Sequence, residues 1–403
     1  MNNISNAEIT NKKVLLRVDF NVPLNEDGSI EDDKRIRESL PTIEYLLKNG
    51  AHKITIAAHL SEPHGKNHAK FSLMPVANHL AKILSLNATF NKPQDIYRLS
   101  DPPAGEAGRI VLLENIRFNL GEEENSPEFA KKLAQDQDIF VNDAFGTCHR
   151  AHASTSGIAK ILPSYAGLLV LKEVENLNKL LVSKEQPFTI VFGGAKIADK
   201  LPFLKTLSHR AHNFLIGGAV ANTFLAARRH YLGKSLVDKD DYRESNIIWQ
   251  NITDEPNRNI YLPIDLVISK SIKEPQDMKI VKTSDALSPD YLKEYSTVDI
   301  GPKTIEQYRK IITKSHRIFW NGNMGVSEVK EFGEGTKKIA EAIISSSANH
   351  IVIGGGDTVA AVEQITDNSI TDNLFLSTGG GATLEFLAGK ELPGLKALGY
   401  YKN

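Results

Sequence analysis

The residues able to do chemistry in this 403-residue chain fall into two groups, one in each half. In the first half, short apolar runs end in polar strings: DFN at 19–21, HLSEP at 59–63, ENIRF at 114–118 and NDAFGTCHR at 142–150. These present Asp19, Asn21, His59, Arg117, His149 and Arg150, with Arg35 just ahead of a helical stretch. Guanidinium meets carboxylate or phosphate bidentately, so gathered arginines suit a small, multiply anionic ligand. Singly, each reads as a surface ion pair; together they predict an anion site. In the second half the runs end in glycine: GGAK at 193–196, GG at 217–218, NGNMG at 321–325, GGGDT at 354–358 and TGGGA at 378–382. Glycine lets backbone approach a phosphate, and a helix start offers free N–H groups and a positive dipole end. One such cluster is ordinary turn chemistry. Five on one sheet edge predict a polyphosphate site.

Two anion sites predict transfer between two anionic substrates. Their repulsion must be neutralised and water excluded, which calls for closure.

The elements that must hold these groups follow from periodicity. Strand-like runs such as VLLRVDF (14–20), KITIAAHL (53–60), FTIVFGG (188–194), YLPIDLVIS (261–269) and HIVIGGG (350–356) alternate with helical patterns. In IRESLPTIEYLLKNG (36–50), Ile36, Leu40, Ile43 and Leu47 recur at helical spacing and Gly50 is a natural stop. Alternating β and α units with near-continuous apolar strands predict an α/β protein whose parallel sheets are covered on both faces. Ligands of such sheets bind beyond the carboxyl ends of the strands, where both groups lie.

A single core stops growing at about 250–300 residues, so two domains are expected. The expected boundaries are 1–170, a connecting helix with its hinge at 171–182, and 183–391; LLVLKEVENLNKLL (168–181) carries a helical stripe that SKEQP breaks. Hydrophobic residues are 41% and charged residues 24%, as in soluble globular proteins. A net charge of −1 gives no general attraction to nucleic acid or an anionic membrane. Cys148 is the only cysteine, which excludes an internal disulfide and a CxxC metal or redox pair. The opening MNNISNAEIT lacks signal-peptide regions, and apolar stretches such as YAGLLVL (165–171) fall well short of the ~20 residues that span a bilayer. A cytoplasmic enzyme is expected. The P-loop pattern and the GxGxxG fingerprint are both missing: Arg228 stands where a P-loop before Gly233-Lys234-Ser235 needs glycine, and Val359 ends the run begun by Gly354 and Gly356. A nicotinamide dehydrogenase is thereby excluded.

VLLRVDFNVP (14–23) resembles a signature of the phosphoglycerate kinases, and the resemblance continues through NDAFGTCHRAHAS (142–154), GGAKIADK (193–200), WNGNMG (320–325), GGGDTVAA (354–361) and STGGGATLEFLAGK (377–390). It implies two Rossmann-like domains, with a tail at about 392–403 returning to the first. It further implies reversible in-line phosphoryl transfer between 1,3-bisphosphoglycerate and ADP, giving 3-phosphoglycerate and ATP, in a typically monomeric enzyme with small-molecule substrates and no tightly bound organic cofactor. The implied 3-phosphoglycerate residues are Asp19, Phe20, Asn21, Arg35, His59, Leu60, Ser61, Glu62, Arg117 and Arg150. The implied nucleotide residues are Lys196, Lys200, Glu328, Gly354, Gly355, Gly356, Asp357 and Thr358, with Asp357 holding Mg2+ on the nucleotide phosphates and Glu328 bonded to the ribose. Arg35 and Lys200 are the implied catalytic pair, Lys200 lying four residues after Lys196 on one helical face. A catalytically silent binder on the same fold is the alternative.

Four positions depart from the family pattern. Glu62 stands where HLGRP carries arginine; the expectation is a loop that turns Glu62 outward while His64 or Lys66 compensates, the alternative being weaker binding of the acid. Asn323 and Ser327 replace a usual Pro and Phe beside the nucleotide segment, and Ala219 follows Gly217 and Gly218 where a third Gly is common.

Overall fold

The computed structural model describes residues 1–85, 87–91, 96–100, 109–195, 200–287, 292–366 and 371–401. The chain forms two compact units, Met1–Glu175 with Glu391–Asn403, and Asn176–Lys390.

The first unit is built on strands β1 (Lys13–Val18), β2 (Lys53–Ala57), β3 (Asn87–Asn91), β4 (Ile96–Ser100), β5 (Ile110–Leu113), β6 (Ile139–Asp143) and β7 (Ser164–Ala166), in the order β3-β4-β5-β2-β1-β6-β7. From β5 to β7 the neighbours are parallel. Side chains alternate across a strand, and both faces of β1 are buried: Val14, Leu16 and Val18 enter one cluster, Leu15 the opposite one with Phe140 and Ile158. Arg17 shares the face of Leu15 and is fully buried. At the other edge β3 and β4 run antiparallel, a pairing that neither NATFN nor IYRLS announces by apolar continuity. The helix Lys34–Lys48 ends just before Gly50, whose φ of +77° is the left-handed turn expected beyond a helix end.

The C-terminal segment belongs to this unit. Leu392, Leu395 and Leu398 are fully buried, the N–H of Gly394 donates to the Cys148 carbonyl at 2.9 Å, and that of Asn2 donates to Leu398 at 3.0 Å. Gly394 is obligatory, since a Cβ there would lie 2.9 Å from Cys148 Cα and Sγ.

The second unit holds a parallel six-stranded sheet of β8 (Phe188–Phe192), β9 (Asn213–Ile216), β10 (Asn259–Tyr261), β14 (Arg317–Asn321), β15 (His350–Gly354) and β16 (Leu374–Leu376), in the order β10-β9-β8-β14-β15-β16. The run YLPIDLVIS does not form one strand. It divides at Pro263, which has no N–H for a ladder: β10 ends at Tyr261, and β11 (Asp265–Ser269) pairs antiparallel with β12 (Lys279–Lys282) and β13 (Ser296–Ile300) in a separate sheet. Among the described residues no helix is long and apolar enough to cross a membrane.

Candidate active site

In each of these two sheets the chain leaves the first parallel strand on one side and later returns on the other. That switch lies at β1/β6 in the first unit and at β8/β14 in the second, and the carboxyl ends there are the expected ligand sites.

At the end of β1, Asp19 is nearly buried and its carboxylate is shared. Arg35 Nη1 donates to Oδ2 at 3.0 Å, the N–H of Asn21 donates to Oδ1 at 3.2 Å, and His59 Nδ1 lies 3.9 Å from Oδ1. Asn21 Oδ1 accepts from the N–H of Ser61 at 2.8 Å, and the Ser61 carbonyl accepts from Arg117 Nη1 at 2.8 Å. Arg117 is 3% exposed, with Glu123 at 3.5 Å and Glu62 at 3.9 Å. Arg150 Nη1 donates to Glu62 Oε1 at 3.3 Å. Asp19, Asn21, Arg35, His59, Ser61, Glu62, Arg117 and Arg150 thus form one connected edge. Phe20 and Leu60 instead lie in the core, and their side chains pack rather than face this edge.

Glu62 does not turn outward as expected; it faces Arg150 and Arg117. His64, an exposed side chain, has its Nδ1 3.5 Å from Glu123, the carboxylate that also pairs with Arg117. The cause is backbone: Ser61 takes a φ of +58° and is held at both its N–H and its carbonyl, so the residue after it is presented to the arginines.

Beneath this edge lies a network the sequence reading missed. Arg17 Nε donates to Ser154 Oγ at 2.8 Å, and Nη2 lies 3.2 Å from His59 Nδ1. Ser154 Oγ donates to Glu122 Oε1 at 2.7 Å, with His152 Nδ1 3.6 Å away. Burial, followed by the charges of Arg17, Arg117 and Arg35, holds His59 well below the usual imidazole range, so it is neutral at pH 7. Burial also lowers Arg117 and Arg17. Burial raises Glu122, but hydrogen bonding to His152, the Arg17 charge and Ser154 outweigh it, leaving a carboxylate. The one signal available was a charged residue, Arg17, inside the apolar run VLLRVDF.

In the second unit, Phe192 stacks on Phe203 at 5.1 Å, and Phe203 meets Phe319 at 5.1 Å. This fixes the helix Leu201–Leu207 on the sheet and puts Lys200 at its N-cap, 9% exposed. The Lys200 ammonium donates to the Gly193 carbonyl. A Cβ at Gly194 would come within 2.6 Å of Lys200 Nζ and one at Gly322 within 2.9 Å. Gly194 accepts from the N–H of Ala219 at 3.1 Å, and its own N–H donates to the Asn323 carbonyl at 2.8 Å. Two glycine clusters, 193–194 and 321–325, therefore converge on one lysine, and the third, at 217–218, packs against both of them. Lys196 lies outside the described residues, and with it the expected helical pairing of Lys196 and Lys200.

Next along the sheet, the N–H of Gly322 donates to Thr358 Oγ1 at 2.9 Å. Gly354 ends β15, Gly355 turns at a φ of +95°, and Gly356 and Asp357 open the helix Gly356–Thr366, both exposed. A Cβ at Gly356 would meet no heavy atom within 4 Å. Glu328 is exposed in the turn after Gly325, and the Asn323 amide donates to Ser327 Oγ nearby.

The phosphoglycerate kinase family model matches residues 4–390. The chain belongs to the phosphoglycerate kinase family. The phosphoglycerate kinase of Dictyoglomus turgidum is 45% identical over 405 residues, spanning 98% of this chain and 97% of that protein. The structure of phosphoglycerate kinase from Coxiella burnetii is similar with a TM-score of 0.82 at 37% identity, covering 100% of this chain and 99% of that one. That from Pyrococcus horikoshii OT3 gives a TM-score of 0.79 at 34% identity, covering 100% of both chains. As a phosphoglycerate kinase the protein is a phosphotransferase with a carboxyl group as acceptor, acting on small molecules and using ATP and ADP. A catalytically silent binder on this fold is not supported.

Proposed function

We propose that the two units divide the phosphoglycerate kinase reaction between them, the first holding 3-phosphoglycerate and the second the nucleotide. The observation that carries this is the contrast of the two switch points: guanidinium groups at one, glycines around a lysine at the other. Asp19, Asn21, Arg35, His59, Arg117 and Arg150 bind the acid. Neutral His59 donates or accepts a hydrogen bond there without adding charge, while the arginines supply the countercharge. Lys196, Lys200, Glu328 and the segment Gly354–Thr358 bind the nucleotide.

In-line transfer needs no protein nucleophile, so positioning and charge stabilisation carry the catalysis. Lys200 and Arg35 neutralise the transferring phosphoryl oxygens. Transfer between ligands held on separate units also requires closure that brings the reacting atoms together and excludes water. The donor set fits Mg2+ as a partner of the nucleotide. Among the described residues no group of three or more His, Cys, Asp or Glu side chains could cage a metal, whereas Asp357 is exposed at a helix start where phosphates can approach. Magnesium is commonly held by one or two carboxylates together with substrate phosphates. Bound there through Asp357, it would neutralise charge on the β- and γ-oxygens.

The test is turnover of ATP, Mg2+ and 3-phosphoglycerate, read through an NADH-consuming dehydrogenase that removes 1,3-bisphosphoglycerate. Turnover with Mg2+, falling to background when EDTA removes it, is expected. Absence of turnover by folded protein would overturn the assignment, and turnover that survives EDTA would overturn the Mg2+ role.

A further inference from the structure

Glu62 Oε1 lies between two guanidinium groups, 3.3 Å from Arg150 Nη1 and 3.9 Å from Arg117 Nη1. That is the place an oxygen of a bound phosphate or carboxylate would take. The two arginines differ in freedom: Arg117 is buried and tied to the Ser61 carbonyl, whereas the Arg150 side chain is 41% exposed. The Glu62 side chain is 53% exposed, so solvent is open to its carboxylate. The backbone cannot follow, because Ser61 is pinned by Asn21 on one side and Arg117 on the other. The fold therefore fixes where Glu62 is attached but leaves its carboxylate displaceable.

We propose that Glu62 is an internal competitor for the Arg117–Arg150 anion site: its carboxylate stands in for an acidic oxygen of 3-phosphoglycerate and must be expelled for the ligand to bind. Glu62 thereby sets the affinity for the acid without touching the nucleotide. In the free enzyme it gives Arg150 a carboxylate partner and adds to Glu123 at Arg117, and it re-pairs with them when the acid leaves. The same competition lowers affinity for inorganic anions, so sulfate and phosphate are rejected more strongly than the arginine pair alone would reject them. This rests on the assignment of the first unit's basic edge to the acid.

The experiment compares wild type, Glu62→Gln and Glu62→Arg by calorimetric titration with 3-phosphoglycerate and, separately, with sulfate, alongside KM for both substrates. Glu306→Gln, an exposed carboxylate paired with Arg309 and Lys310 in the other unit, controls for the change in net charge. Removing an exposed ion pair that competes with a ligand is expected to tighten binding by about twofold to fivefold. Glu62→Gln should then bind both 3-phosphoglycerate and sulfate more tightly by that factor, with KM for the acid falling and KM for ATP unmoved. Glu62→Arg should tighten further, and Glu306→Gln should match wild type. Unchanged or weaker binding of both anions by Glu62→Gln would overturn the proposal, because Glu62 would then be idle or would be organising the arginines. If sulfate tightens but 3-phosphoglycerate does not, the competition stands and the assignment of this edge to the acid fails.

Discussion

Lys200 combines near-complete burial with a position where glycines leave room for its ammonium and little else. A buried cation within reach of a transferring phosphoryl group acts where the dielectric is low and needs no reorganisation at the moment of reaction. Lys200→Ala should therefore cost roughly 10²–10³ in kcat, as for one well-placed transition-state donor. The coupled assay under saturating substrates checks this; a loss below about fivefold would remove Lys200 from the chemistry. Arg17 shows the limit of reading residues one at a time. The type was visible in the sequence, but its partners Ser154 and His59 lie 137 and 42 positions away, and only packing of β1 against the 153–157 turn brings them together. Glu62 shows the same limit in direction, since a φ of +58° at Ser61 is not written in the string HLSEP.

At the scale of elements, the glycine-ended strands divide into those that make room for protein and those that leave room for ligand. Gly322 is of the first kind: at a φ of +91°, a Cβ would lie 2.2 Å from the Gly193 carbonyl oxygen and 2.9 Å from Lys200 Nζ. Gly322→Ala should destabilise the second unit by about 1–3 kcal/mol, through backbone strain and overpacking, and lower kcat by displacing Lys200. Gly356 is of the second kind, with open space around it. Gly356→Ala should leave unfolding within about 0.5 kcal/mol of wild type, as for a change away from any packed feature, but raise KM for ATP. Urea unfolding followed by tryptophan fluorescence separates the two, because both tryptophans, Trp249 and Trp320, lie in this unit. Equal destabilisation by both changes would refute the division. Helix and strand periods were legible because burial on one or two faces imposes them locally. The antiparallel pairing of β3 with β4 was not, because a sheet edge needs no continuous apolar run, and the β11–β13 sheet was not, because the apolar run 261–269 reads as one strand and only Pro263 divides it.

At the scale of the whole molecule, stability carries an unusual pH term. Asp299 is buried at the start of the helix Glu334–Ile344, where Oδ2 accepts from the N–H of Gly335 at 2.6 Å and Oδ1 from that of Ile300 at 2.8 Å. Burial outweighs those hydrogen bonds and pushes its carboxyl up to about 7. The folded protein thus keeps a proton that the unfolded chain, with an ordinary carboxyl near 4, has already lost. The stability this gives is complete below about pH 4 and declines as pH rises to about 7, at roughly 1.4 kcal/mol per unit. Asp299→Asn removes the titration, so its stability relative to wild type should be higher at pH 8 than at pH 5, by up to a few kcal/mol. Urea midpoints at the two pH values measure this, and a difference independent of pH would refute it. The sequence by itself determined the α/β alternation, the two kinds of strand end and the phosphoglycerate kinase family, because these depend on local period and on short strings of fixed residue types. The tertiary structure alone decided which charges meet. It set Arg17 against Ser154, turned Glu62 toward Arg150 across 88 positions, and seated Gly394 on Cys148. Those pairings follow from how strands and loops far apart in the chain are packed, and no local pattern encodes them.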